Sequence, residues 1–215
     1  METVAKYRTS VNLRMPGIEG PDKISPAQAD VIRKYGHDTA TKAQAAAHEA
    51  GHVVTACAMD EIIVEARIAC NKQFTRAIWL GFNRRIYLGE SPEGFTHASI
   101  AKQPLRALRG AINTLSGYIG ERQVHLDHPS SSLDERLDTT TICTELDRVW
   151  GRSDNFAARL VEHLCVTILN ANMRQFDMVR GHLTRTKRLT QREAALMLAG
   201  VSKIDLAEVV NECVR

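Results

Sequence analysis

Aromatic residues are scarce in this chain, 5% of 215 positions, but hydrophobic residues at 44% and charged residues at 25% are at the usual values for a soluble globular protein, which excludes overall disorder. A surplus of one charge is also missing. The 28 basic residues against 25 acidic ones leave +3, too little to argue for a nucleic-acid surface. Local arginine clusters in "FNRRIY" and "LTRTKRLTQR" read as solvated edges. No CxxC pair occurs; Cys57, Cys70, Cys143, Cys165 and Cys213 are odd in number and widely spaced, so they read as reduced core residues and point to the cytoplasm. No apolar run reaches the roughly 18 residues of a membrane span, and the opening "METVAKYRTSVNLRMPGIEG" lacks the apolar block of a signal peptide. A soluble protein made for use inside the cell is expected. A GxxxxGKS/T loop is absent too, so these residues cannot draw on ATP by themselves.

Along the chain, residues 1 to about 25 carry Pro16, Gly17, Gly20 and Pro21 with little periodicity, which predicts an irregular arm. A short helix follows in "SPAQADVIRKYG", capped by Ser25, opened by Pro26 and stopped by Gly36. Thr41 and Gln44 form a capping-box pattern, and good helix formers continue to about Asp60. "IIVEARIAC" reads as a strand, and "RAIWLGF" and "RRIYLG" as two more joined through Gly81 to Arg85. "SPEGFTHAS" predicts a turn leading into a short extended piece. From Pro104 to about Val124 apolar residues recur at Leu105, Leu108, Ile112, Leu115 and Ile119, the spacing of an amphipathic helix. Further helices are expected at about 134–150, 154–170, 172–186, 191–199 and 204–213, with a second capping-box pattern at Thr190 and Glu193. The expected fold is α+β and mainly helical: an arm and short helix over 1–40, then a domain over 41–215 with a small sheet and a C-terminal helical bundle from about 134.

The chemistry is concentrated in "TKAQAAAHEAGHVVTACAM". His48 and His52 are four apart, so on a helix they project from one face and can hold one metal ion together. Glu49 is turned aside, where it can reach a water molecule. This is the HExxH arrangement of zinc hydrolases, in which two neutral imidazoles bind zinc and the carboxylate acts as general base. An Ala-rich helix of this kind is expected to be buried, where unpaired imidazoles and carboxylates are costly; a bound metal removes that cost.

Zinc needs a third protein ligand. The metzincin pattern HExxHxxGxxH would require a glycine and a histidine where the chain has Thr55 and Ala58, so that class is excluded. A glutamate from the next helix, Glu121, and an aspartate at the start of the later helix, Asp134, both remain open.

The order of segments resembles the peptidase domain of the FtsH family, the membrane-linked AAA proteases. "HEAGH" at 48–52 is that family's form of the zinc motif, "EGFTHAS" resembles its Gly-Tyr-Thr strand, and "LSGYIGER" resembles its Gly-Arg-Ala-Ala-Glu-Glu helix. "SSSLDERLDTTT" stands where the family's third ligand begins a helix, and the tail through "LTQREAALML" also fits, so the likeness spans about 41–200. It implies that His48, His52 and Asp134 hold zinc, with Asp138 second choice for the third position. By the same likeness Glu49 is the base and Glu121 orients a ligand histidine. Gly94, Phe95 and Thr96 would lie on an exposed strand edge that pairs with an extended substrate backbone. His97 reads as a solvated loop histidine, with assistance at the reacting carbonyl as the less favoured role. Two departures stand out: "LDHPSSS" replaces the family's Thr-Thr-Gly-Ala, and residues 71–93 form an added hairpin that would lid the cleft or mediate assembly into a homo-oligomer.

The expected function is thus a zinc metalloprotease of the cytoplasm, a hydrolase acting on unstructured polypeptides or peptides. A separate ATPase or unfoldase would be needed to deliver folded substrates. The competing expectations are a non-proteolytic, zinc-stabilised interaction module and a narrow regulatory protease that cuts one partner.

Overall fold

The structure, a computed structural model, describes residues 41–71, 78–86, 95–124 and 133–214. The predicted arm and the short helix of residues 25–36 lie outside the described residues. Within them the fold is α+β and mainly helical, with a small three-stranded antiparallel sheet. No described helix is long and apolar enough to cross a membrane.

Helix α1 (Lys42–Ala58) runs through the middle of the molecule. It starts where the sequence says it should: Thr41 Oγ1 accepts from the Gln44 amide at 3.2 Å, and Gln44 Oε1 accepts from the Thr41 amide at 2.8 Å. Such a reciprocal cap satisfies two otherwise orphaned N–H groups and contributes about 1 kcal/mol. Ala46, Ala47, Ala50, Val54, Ala56 and Ala58 are fully buried. Small side chains on every face are what let one helix be covered on all sides. The helix stops at Met59, and Asp60 at φ 64° turns the chain into the sheet.

Strands β1 (Ile62–Asn71) and β2 (Ile78–Ile86) pair antiparallel, and β1 also pairs with β3 (Arg188–Thr190), giving the order β2-β1-β3. The register of β1 against β2 shifts between Ile63 and Glu65. That bulge changes the parity of the strand, so Ile63, Ala66 and Ile68 are all buried although they do not alternate strictly. Opposite them on β2 stand Arg85, Asn83 and Gly81, which do alternate and so share that inner face.

Helices α2 (His97–Lys102), α3 (Pro104–Val124), α4 (Leu133–Trp150), α5 (Phe156–Ala171), α6 (Met173–Thr186), α7 (Gln191–Met197) and α8 (Leu206–Val214) form the rest. Ala157, Leu160, Val161, Leu164, Cys165, Ile168 and Leu169 give α5 a continuous buried stripe. Leu108, Ile112, Leu146, Phe176 and Leu183 complete the core around it, each burial removing about 1.5–3 kcal/mol of apolar side chain from water. Helix α3 crosses α1 very closely. A methyl group on Gly51 would collide with the Ser116 carbonyl oxygen, and one on Gly120 would lie 2.7 Å from the Ala47 carbonyl oxygen.

Three expectations change. Where two strands were expected in "RAIWLGF" and "RRIYLG", the described residues Ile78–Ile86 form one continuous strand, because Gly81 is there to leave room for the Glu49 side chain, not to make a turn. Strand β3 was not expected; its three residues carry no pattern long enough to read. The extended edge predicted around Phe95 and Thr96 is instead a helix start: Thr96 Oγ1 accepts from the Ser99 amide and Ser99 Oγ accepts from the Thr96 amide, a capping box for α2.

Candidate metal site

One turn of α1 separates His48 from His52, and their rings meet edge to face with centroids 4.7 Å apart. The two Nε2 atoms face each other at 3.0 Å. What fixes them lies on α3, at the far side of each ring. His52 Nδ1 is 2.7 Å from the backbone oxygen of Asn113, and His48 Nδ1 is 2.8 Å from Glu121 Oε1. A carbonyl oxygen can only accept, so His52 Nδ1 carries the hydrogen, and its Nε2 presents a lone pair when the ring is neutral. The carboxylate of Glu121, 2% exposed, sets the same tautomer for neutral His48. Two lone pairs aimed at each other repel unless a proton or a metal cation sits between them.

Glu135, from the first turn of α4, completes the group. Its Oε1 lies 3.2 Å from His48 Nε2 and 3.3 Å from His52 Nε2. Its Oε2 is buried with no hydrogen-bond partner among the described residues. Ligand bonds of about 2.0 Å in a tetrahedral site separate donor atoms by about 3.3 Å, so separations of 3.0, 3.2 and 3.3 Å fit one ion. Gly117 provides the space: a methyl group there would lie 2.5 Å from both Nε2 atoms. His48, His52 and Glu135 together could hold a metal ion.

The charges in the group are strongly coupled. Burial pulls the His48 pKa down, but Glu135 and Glu121 outweigh it and hold it well above the ordinary value of 6.5. Burial likewise pushes Glu135 up, yet the adjacent His48 and His52 keep it far below the usual carboxylate range.

Glu49 is 3% exposed and turns away from the imidazoles toward β2. Asn83 Nδ2 donates to Glu49 Oε2 at 2.7 Å, and the bare backbone of Gly81 packs against the same carboxylate. A cleft forms here, with His48, Glu49, His52 and Glu135 on one side and Gly81 and Asn83 on the other.

Of the residues singled out from sequence, His48, Glu49, His52 and Glu121 come together. Glu121 meets the outer nitrogen of His48, behind the Nε2 pair, and so stands outside the ligand group. Asp134 is the second residue of α4, but its side chain lies outside the described residues. Asp138 is exposed one turn further along and does not belong to the group. Sequence reasoning missed Glu135. The only available signal was its place in the first turn of α4, next to the expected ligand. Phe95 packs against Gly110 beneath Arg106, whose guanidinium carbon is 5.2 Å from the ring centroid, and it does not line the cleft. Gly94 lies outside the described residues, as does the side chain of His97. Neither a protein-family model nor a curated protein matches this chain.

Proposed function

We propose that this protein is a zinc-dependent metallopeptidase similar to the FtsH peptidase domain, with His48, His52 and Glu135 as ligands and Glu49 as general base. The observation that carries this reading is the pair of Nε2 atoms 3.0 Å apart, with each Nδ1 already committed to an acceptor and a carboxylate oxygen within 3.3 Å of both. Two imidazoles and one carboxylate, leaving a fourth position open, are the donor set of catalytic zinc. When bound there, zinc supplies Lewis acidity, which makes water a nucleophile near neutral pH and polarises a peptide carbonyl.

The residues of the chain do the rest. Glu121 and the Asn113 carbonyl hold the imidazoles in the tautomer that keeps Nε2 free. Glu49 takes the proton of the attacking water and returns it to the leaving amine. Substrates are unstructured segments or peptides, with folded proteins requiring a separate unfoldase. The five free cysteines support work in a reducing compartment, the cytoplasm.

The test is digestion of casein or a peptide library by zinc-loaded wild type and Glu49→Gln side by side, with zinc content measured in both. Wild type should cleave, and the variant should keep about one zinc per chain while losing at least about 100-fold in rate. Equal rates in the two proteins would remove the peptidase reading.

A further inference from the structure

Gly81, Asn83 and Arg85 occupy alternate positions on β2, so all three face α1. Their contacts form a chain with a defined direction. Arg85 Nη1 donates to Asn83 Oδ1 at 2.7 Å, and an arginine has no acceptor to offer. The Asn83 oxygen is therefore committed to Arg85, and its amide nitrogen must be what meets Glu49 Oε2 at 2.7 Å. Arg85 is held in turn, its Nε donating to Glu61 Oε2 at 2.9 Å. Glu61 Oε1 accepts from Asn113 Nδ2 at 3.0 Å, and the backbone oxygen of Asn113 accepts from His52 Nδ1. The hydrogen bonds thus run from Glu49 through β2, the α1–β1 turn and α3 back to His52.

We infer that Asn83 is the positioning residue of Glu49, its amide kept donor-first by Arg85 and Glu61, so that strand β2 aims the carboxylate beside the metal ligands. An amide without that anchor could turn its oxygen toward the carboxylate, which would repel it. The Arg85–Glu61 pair, with side chains 17% and 8% exposed, removes that freedom. Gly81 sets the distance, since any side chain there would push Glu49 away from the strand. The hairpin of β1 and β2 is by this reading part of the site. This inference rests on the peptidase reading for its kinetic consequence only.

Four forms of the full zinc-loaded chain test it: wild type, Asn83→Ala, Glu49→Ala and the double variant. Hydrolysis of a fluorogenic peptide by Asn83→Ala should show kcat lower by about 10- to 100-fold, because a misplaced base forfeits part of its contribution. KM and zinc per chain should be unchanged, a split that a merely structural asparagine would not give. A kcat within about twofold of wild type overturns the inference. Melting temperatures decide the contact without any activity: Asn83→Ala should lower Tm by about 2–4 °C in the wild-type background and by clearly less when Glu49 is already alanine, where only the bond from Arg85 remains to be lost. Equal losses in both backgrounds overturn the inference. A wild type that cleaves nothing removes the peptidase reading, and the Tm comparison still accepts or rejects the pairing of Asn83 with Glu49.

Discussion

His52 and Asn113 are joined by a hydrogen bond from the imidazole Nδ1 to a main-chain oxygen, 2.7 Å long and buried at both ends. Because the acceptor belongs to the backbone of α3, no side-chain substitution at position 113 can remove it. The tautomer of His52 is a property of how two helices cross, and the free lone pair of its neutral Nε2 follows from that.

The proposed third ligand, Glu135, gives a direct comparison. Glu135→Ala should weaken zinc binding by at least about 100-fold, since it removes a ligand atom and leaves two imidazoles. Asp138→Ala, one turn along on an exposed position, should bind zinc like wild type. Competition against a chromophoric chelator measures both. Zinc loss in Asp138→Ala with retention in Glu135→Ala would refute the assignment.

Gly117→Ala tests the space around the ion. Alanine is the better helix former by about 1 kcal/mol, so helix content should be kept. The added methyl would lie 2.5 Å from both Nε2 atoms, and zinc should be lost. Circular dichroism and metal analysis on the same sample check the two halves; a folded, fully loaded variant would contradict the geometry.

The pH dependence of the metal-free protein has a definite sign. The raised pKa of His48 contributes stability that is complete below about 6.5 and lost as pH rises through the folded-state value. The lowered pKa of Glu135 contributes stability that is present above its ordinary value of 4.5 and lost as pH falls toward the folded one. In chelator, Tm should therefore fall as pH rises above about 6.5. With zinc it should not fall, because binding requires the neutral imidazole and releases a proton. Thermal melts in both conditions measure this, and a metal-free Tm that climbs with pH would count against the charge pairing.

Thiol reactivity should separate the cysteines. Burial, with Asp147 adding to it, pushes the Cys143 thiol up to about 12, and burial raises Cys165 as well. Cys213 is exposed. Iodoacetamide on the native protein near pH 8 should label Cys213 first and spare Cys143 and Cys165 until the chain is unfolded, as peptide mapping by mass spectrometry would read. Early labelling of Cys165 would mean that α5 does not pack as described.

Much of the fold was legible because its signals are local. The caps at Thr41 and Thr190 announce their helices within four residues, and the period of Leu105, Leu108, Ile112 and Ile119 fixes α3. HExxH was legible for the same reason, since one helical turn brings its members together. What could not be read depends on partners distant in sequence. Gly81 looks like a turn residue until Glu49 is found opposite it, and β3 exists only because β1 offers an edge. Glu135 joins the group only because the folded chain brings the start of α4 beside His48 and His52, which no spacing within "LDERLD" encodes.

Gly51 and Gly120 each adjoin a residue of the site, His52 and Glu121. Giving Gly120 a side chain would require α3 to retreat until a 2.7 Å approach to Ala47 became an ordinary contact, on the order of half an ångström or more. The bonds from α3 to the two imidazoles are 2.7 and 2.8 Å long, and that much added length would take them to the limit of useful hydrogen bonding. The mechanical tolerance of the site is therefore set by two positions that touch no ligand atom, and a substitution as mild as Gly120→Ala should loosen both rings at once.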